Sequence, residues 1–489
     1  MELKQLFYKA YLWNTFAQFF VRGLGVISTL ILVRILGPAD FGVIAIANIV
    51  TGFFVIISTT ASYRYLIIHR NIPEERFSSF WTLNICLSLI SIVFLFLFAP
   101  IVADFMNDER LVLVIRLLAA IELIGVFKNI GMITFQRQIN YAPENKILIF
   151  AKVISTIFTI SFTVILENYF ALIIGTFINI LLSTIGTYVV SSFRPKLDFK
   201  FEWNMFAFGG FIMARNIIGY SRSQIDTLFV GRLFGSSTVG NYKVAMQFGI
   251  MPQTEILGPA MQPAFSALSS LKENVVELHN KAYQSLFLSY LIVVPAAFGL
   301  HLVAPSFVMT ILGEQWVDAI PLIQVLGFLM IPFATQPILN TLYDAQGKTK
   351  FSLLTDIYGI VVIVIVTLLL NPSTASIFSD YRVLIGFTSV LLGFLLSKIF
   401  LKLRIWKLLV TVFVPIVLSL LMYSILLSAE LSYSSSTITL IVNALAGAFI
   451  YFVVAVLLIN ILGRFFRRSF LYRLFPKVII NYVSRAKLK

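Results

Sequence analysis

Apolar runs long enough to cross a lipid bilayer recur along nearly the whole chain, with only short polar connections between them. The hydrocarbon core of a bilayer takes about 20 mostly apolar residues per helix. A window of that length finds fourteen runs, near 11–33, 41–66, 79–99, 111–131, 147–166, 169–190, 207–230, 239–266, 283–304, 319–342, 351–370, 381–401, 406–427 and 437–461. In lipid, each run must satisfy its own backbone hydrogen bonds, so it folds as a helix. Only 12% of residues are charged, roughly half the share of a soluble domain. Mean hydropathy is +0.93. The expected fold class is an all-α polytopic membrane protein of 14 transmembrane helices. The N-terminal stretch MELKQLFYKAYLWNTFAQFF has no cleavage-site pattern and is expected to remain as the first span.

Lysine and arginine test the span count, because they concentrate in cytoplasmic loops. With the N-terminus inside, the inner connections and the tail hold 27 of the 37 Lys and Arg, and the outer connections hold six. This asymmetry predicts an N-in, C-in topology. It also accounts for most of the net charge of +15, which is a topology signal and not a nucleic-acid footprint. The tail, residues 463–489, mixes Arg and Lys with Phe, Leu and Ile, and is expected to be a basic amphipathic cytoplasmic segment.

An internal repeat divides the chain. RILGPADFG (34–42) recurs as RLFGSSTVG (232–240) in the same R-x-x-G-x(4)-G frame, and an Ala-Pro followed by a short outer loop recurs at 99 and 304. Two matches at similar offset predict two pseudo-symmetric six-helix lobes, 1–200 (helices 1–6) and 201–405 (helices 7–12). Helices 13–14, in 406–462, lie outside the repeat. An even number of spans per lobe puts both in the same orientation, as in parallel-repeat transporters that work by alternating access.

Charged residues inside spans cost about 2.5 to 3.5 kcal/mol each on insertion scales, so they face partners or water-filled cavities. Arg215 and Arg222 are seven apart on one stripe of the seventh run, and Asp226 follows one turn later. Arg22 occupies a similar depth in the first run, and the two lobes thus place arginines on corresponding helices. Guanidinium groups grip phosphate oxygens bidentately, so Arg22, Arg215 and Arg222 are the candidate sites for a phosphate or diphosphate. Arg222 and Asp226 could equally neutralise one another and stitch helices together. Lys152 either snorkels to headgroups or joins the inner mouth of the cleft. Asp226, Glu122, Glu255 and Asp356 are candidates for ion coupling or for local pairing. Asn14, Gln18 and Asn48 could contact sugar hydroxyls or neighbouring helices.

Nothing in the sequence points to hydrolysis, ATP use or a bound metal. Cys86 stands alone, and His69, His279 and His301 are far apart. GKTK at 347–350 lacks the earlier glycine of a phosphate loop. No cofactor is expected beyond coupling to a Na+ or H+ gradient. A membrane-embedded polymerase or ligase would need a larger outer loop bearing Arg or His, and the connections are too short for one.

LVRILGPADFGVIAIA, SQIDTLFVGRLFGSSTVGNYKVA and ILGEQWVDAIPLIQVLGFLMIPFATQPILNTLYDAQGKTK lie in an order that resembles the Wzx-type polysaccharide and O-antigen flippases of the polysaccharide-transport family. These belong to the multidrug/oligosaccharidyl-lipid/polysaccharide exporter superfamily. The resemblance implies a V-shaped two-lobe bundle with a cationic central cavity, in the bacterial cytoplasmic membrane. It further implies translocation of an undecaprenyl-diphosphate-linked oligosaccharide from the inner to the outer leaflet. Its implied partners are that lipid-linked substrate, the bilayer itself and the polysaccharide polymerase and export machinery. It lends support to Arg22, Arg215 and Arg222. The nearest alternatives are a lipid II-type flippase and a multidrug exporter of the same superfamily. Cationic drugs would favour a carboxylate-lined cavity, whereas the mid-span charges here are mostly basic.

Overall fold

The structure, a computed structural model, describes residues 2–475 apart from 70, 201–202, 259–260, 262–267, 269, 272, 430, 432 and 466–468. The side chains of 2–11, 57–64, 203–212 and 215 lie outside that description. Every regular element among the described residues is helical. Eleven helices are long and apolar enough to cross a membrane. They coincide with eleven of the fourteen predicted runs.

Of the other three runs, the one at 111–131 differs for an identifiable local reason. The run at 111–131 forms a 17-residue helix, Arg110–Val126, and then breaks. At the break, Asn129 is turned out of the helix: its Nδ2 donates to the Phe193 carbonyl at 2.7 Å, and its Oδ1 accepts from Gly131 N at 2.9 Å. The run at 207–230 and the described start of the run at 239–266 are helices on either side of a kink at Gly235, whose φ is 84°. That left-handed conformation suits glycine, which has no Cβ to clash. Beyond the bend the chain enters a π-helical turn, Pro252–Leu257.

The chain divides into two compact units, 1–240 and 241–489. Unit 1 contains α1 (Glu2–Ile35), α2 (Pro38–Ile68), α3 (Phe77–Met106), α4 (Arg110–Val126), the short α5 (Met132–Arg137), α6 (Ala142–Leu166) and α7 (Phe170–Val190). It also takes most of α8 (Trp203–Gly249). The hairpin α3–α4 packs on α2, α4 packs on α7, and α6 lies between α1 and α7. Arg137 closes the α2 end. Its guanidinium donates to the carbonyls of Leu66 (3.0 and 2.8 Å), Ile72 (3.0 Å) and His69 (3.1 Å), and lies 4.8 Å from the Phe77 ring centroid. One side chain thereby satisfies carbonyls that the end of a helix leaves without partners.

Unit 2 is built around α9 (Val275–Phe307), which packs against α10 (Ala319–Leu326), α11 (Met330–Ala345), α14 (Ile405–Ala429) and α15 (Ser436–Phe465). α12 (Lys350–Leu370) and α13 (Ala375–Leu401) complete its spanning helices. Large buried residues fill the centre, and their polar tips are paired. Tyr290 and Thr335 hydroxyls lie 2.6 Å apart, and the Tyr343 hydroxyl donates to the Gly393 carbonyl at 3.0 Å. Large apolar side chains, Leu368, Leu369 and Phe449 among them, are exposed on the unit's spanning helices, as lipid contact requires. The described start of the predicted basic tail forms α16 (Phe470–Leu474) and packs on this unit. Leu474 and Phe475 are buried in the core, with the Phe475 ring edge-on to Phe287. Residues 476–489 lie outside the described part.

Candidate functional site

The two copies of the repeated frame meet at the start of α2 and the bend of α8. A Cβ built on Gly42 would collide with the Ser236 carbonyl, and one built on Gly240 would collide with the Pro38 carbonyl. The contact is reciprocal. In each copy, the residue after the first glycine offers its carbonyl to the last glycine of the other. A third segment locks this junction from the link between α3 and α4. The Asp108 carboxylate accepts from the Ser236 hydroxyl at 2.6 Å and is held bidentately by Arg110, Nε at 2.9 Å and Nη2 at 2.7 Å. The Asp108 side chain is 10% exposed and that of Arg110 43%. Burial opposes the charge on Asp108, but the hydrogen bonds from Arg110 and Ser236 outweigh it and hold the carboxyl below the usual carboxylate range. Arg232, which opens the second copy, lies 5.3 Å from the Phe105 ring centroid.

Away from the junction, α8 runs beside α2. The Tyr220 hydroxyl donates to the Ile49 carbonyl at 2.9 Å and lies against Gly52, where a side chain would not fit. Two residues further on, Arg222 is half-buried, and Asp226 is only 2% exposed with its Oδ1 accepting from Thr227 N at 2.8 Å. Arg22 is exposed on α1 and Lys152 is half-buried on α6, which packs against α1. Neither the Arg22 nor the Lys152 side chain makes an ion pair or hydrogen bond among the described residues. The Arg215 side chain lies outside the described residues. All four basic candidates therefore belong to unit 1.

The acidic candidates scatter. Asp226 and Glu122 belong to unit 1, whereas Glu255, in the π-helical turn, and Asp356, on α12, belong to unit 2. Among the described residues, no group of three or more His, Cys, Asp or Glu could hold a metal ion. Glu122 instead lines a cavity of about 380 Å³ inside unit 1, with Asn84, Ser88, Ser91, Trp81 and Lys128.

Asp108, Ser236, Tyr220 and Asn84 did not stand out in the sequence. The Asp-x-Arg spacing at 108–110, at the start of a helix opposite a repeated glycine frame, was a usable signal for the first.

A family model described as a polysaccharide biosynthesis protein matches residues 31–321, more than half of the chain. The chain belongs to this family. Among curated relatives, it is 23% identical over 362 residues to the lipopolysaccharide biosynthesis protein WzxC of Escherichia coli (strain K12), covering 72% of each chain. It is 24% identical over 391 residues to the teichuronic acid biosynthesis protein TuaB of Bacillus subtilis (strain 168), covering 77% of this chain and 80% of the relative. Among solved structures, it resembles the lipid II flippase MurJ in an inward closed conformation, with a TM-score of 0.76 at 12% identity. That match covers 92% of this chain and 99% of the other, and at such identity it shows a shared fold. This polysaccharide biosynthesis family member is a multi-pass membrane protein.

Proposed function

We propose that the chain is a flippase that moves an undecaprenyl-diphosphate-linked oligosaccharide from the inner to the outer leaflet of the bacterial cytoplasmic membrane. Translocation proceeds by alternating access and supplies O-antigen, capsule or exopolysaccharide assembly. The observation that carries the proposal is that a membrane chain of a polysaccharide biosynthesis family keeps Arg22 and Lys152 on spanning helices without an ion-pair partner among the described residues. Such cations require an anion or water. Arg22, Arg215 and Arg222 hold the diphosphate, Lys152 guides it at the inner mouth, and the polyprenyl tail stays in lipid. No covalent bond changes, so the work is binding and release.

Fourteen spans with both termini inside, in repeated lobes of 1–200 and 201–405, are part of the same proposal. In that topology the junction of Gly42, Ser236, Pro38 and Gly240 is an outer gate, closed while substrate enters from inside. Asp226, Glu122, Glu255 and Asp356 are the candidate carboxylates for coupling gate movement to a Na+ or H+ gradient.

The test is reconstitution. Proteoliposomes containing the chain should expose an inner-leaflet lipid-linked oligosaccharide to an external, membrane-impermeant glycosidase, whereas protein-free liposomes should not. No protein-dependent exposure would refute the proposal.

A further inference from the structure

Neither Arg22, Arg222 nor the residues of the motif junction line the cavity around Glu122. Its walls come from α2, α3, α4 and α7 of unit 1. Asn84 is 8% exposed, and its buried Oδ1 has no hydrogen-bond partner. A buried amide oxygen without a donor is rare in folded proteins and asks for a ligand or a water. The Glu122 carboxylate, half-buried in the same wall, makes no hydrogen bond among the described residues, and the charge acting on it is that of Lys128. The Ser91 hydroxyl donates to the Leu87 carbonyl at 3.0 Å, which leaves its lone pairs free to accept. These unfilled valences are acceptors, one of them a carboxylate. A cationic N–H donor satisfies them together.

The rest of the wall narrows the class. At one end of the α3–α4 hairpin, Trp81 Nε1 donates to the Lys128 backbone carbonyl at 3.1 Å, and both residues line the cavity there. A lysine there suits a phosphate, and a tryptophan suits the membrane interface and an alkylammonium. The other wall residues, among them Ile92, Leu95, Val126 and Ile180, are apolar. Exposed Phe94 on α3, Leu123 on α4 and Phe127 just past the end of α4 add apolar surface suited to lipid chains. A volume of about 380 Å³ far exceeds a bare metal ion, which oxygen ligands enclose at about 2.3–2.6 Å, and falls in the range of small-molecule pockets.

We propose that this cavity binds the headgroup of a phospholipid bearing a primary ammonium, of the ethanolamine type. The ammonium pairs with Glu122 and donates to Asn84, the phosphate meets Lys128, and the acyl chains lie along α3 and α4. The site is independent of the flipped substrate.

The experiment uses the full chain, purified in detergent and mixed with phosphatidylethanolamine, phosphatidylcholine or phosphatidylglycerol of identical acyl chains. Retained lipid is read by native mass spectrometry. The ethanolamine lipid should be retained about tenfold over the choline lipid, whose quaternary nitrogen has no N–H to donate. Glu122→Gln and Asn84→Leu should each abolish that preference, and Lys128→Gln should reduce retention of the ethanolamine lipid. Should a variant fail to fold, the comparison of the two headgroups on the unaltered chain decides alone. Equal retention of all three lipids would overturn the proposal. So would a melting temperature raised by NaCl over choline chloride with no headgroup preference, which would assign the cavity to a small cation.

Discussion

The Ser236 hydroxyl donates to the Asp108 carboxylate at 2.6 Å across 128 residues of chain. This bond ties the bend of α8 to the link between α3 and α4, and the same carboxylate grips Arg110. Removing it should loosen the junction without touching the helices. Ser236→Ala is expected to cost about 1 kcal/mol locally, a roughly fivefold rise in hydrogen exchange of the 232–240 amides. Unchanged exchange would show that backbone packing alone holds the junction.

The same carboxylate sets a pH limit. Asp108 has a folded-state pKa below its ordinary value, so its contribution is fully present above the ordinary value and is lost as pH falls through the folded one. The junction should therefore be insensitive to pH from about 5 to 8 and open only below about pH 4. Hydrogen exchange of residues 232–240 measured against pH checks this, with Asp108→Asn expected to flatten the acid limb.

Close backbone approach makes Gly42 and Gly240 irreplaceable. Gly42→Val or Gly240→Val should stop the junction closing and reduce flipping at least about tenfold, while the far-ultraviolet circular dichroism stays helical. Gly299→Ala is the matched control, because a Cβ there meets nothing within 4 Å. Equal activity in all three variants would remove the junction from the transport cycle.

Much of this architecture is readable from hydropathy, because lipid leaves a helix few alternatives. The repeated glycine frame was also visible as a repeat, but its reciprocal contact was not, since no local rule reports which distant backbone a glycine meets. Asp108 belonged to a short polar loop and looked like any solvated acid. Its meaning depends on Ser236, which the fold alone brings near. Glu122 stood out as a charge in an apolar run, whereas Asn84 did not. Whether an amide finds a partner depends on how α3 is rotated in its bundle, and the weak periodicity of an all-apolar helix does not encode that rotation. The continuous span expected at 111–131 missed the break at Asn129 for a related reason: a side chain that binds the distant Phe193 carbonyl ended the helix.

Arg137 offers a stability test outside the spans. Its guanidinium serves three carbonyls at the α2 end, so Arg137→Ala should cost about 2–3 kcal/mol and lower the melting temperature in detergent. Arg137→Lys should recover only part of the loss, because a single ammonium cannot reproduce the planar fork.

The central claim is that unit 1 grips a diphosphate through its spanning arginines. The most direct measurement is flipping of lipid-linked oligosaccharide in proteoliposomes by Arg22→Ala, Arg215→Ala and Arg222→Ala, each at matched reconstituted amount. The expected result is at least about a tenfold loss in each, the equivalent of one charge-assisted contact, with helical content and melting temperature unchanged. Full activity in all three would contradict it.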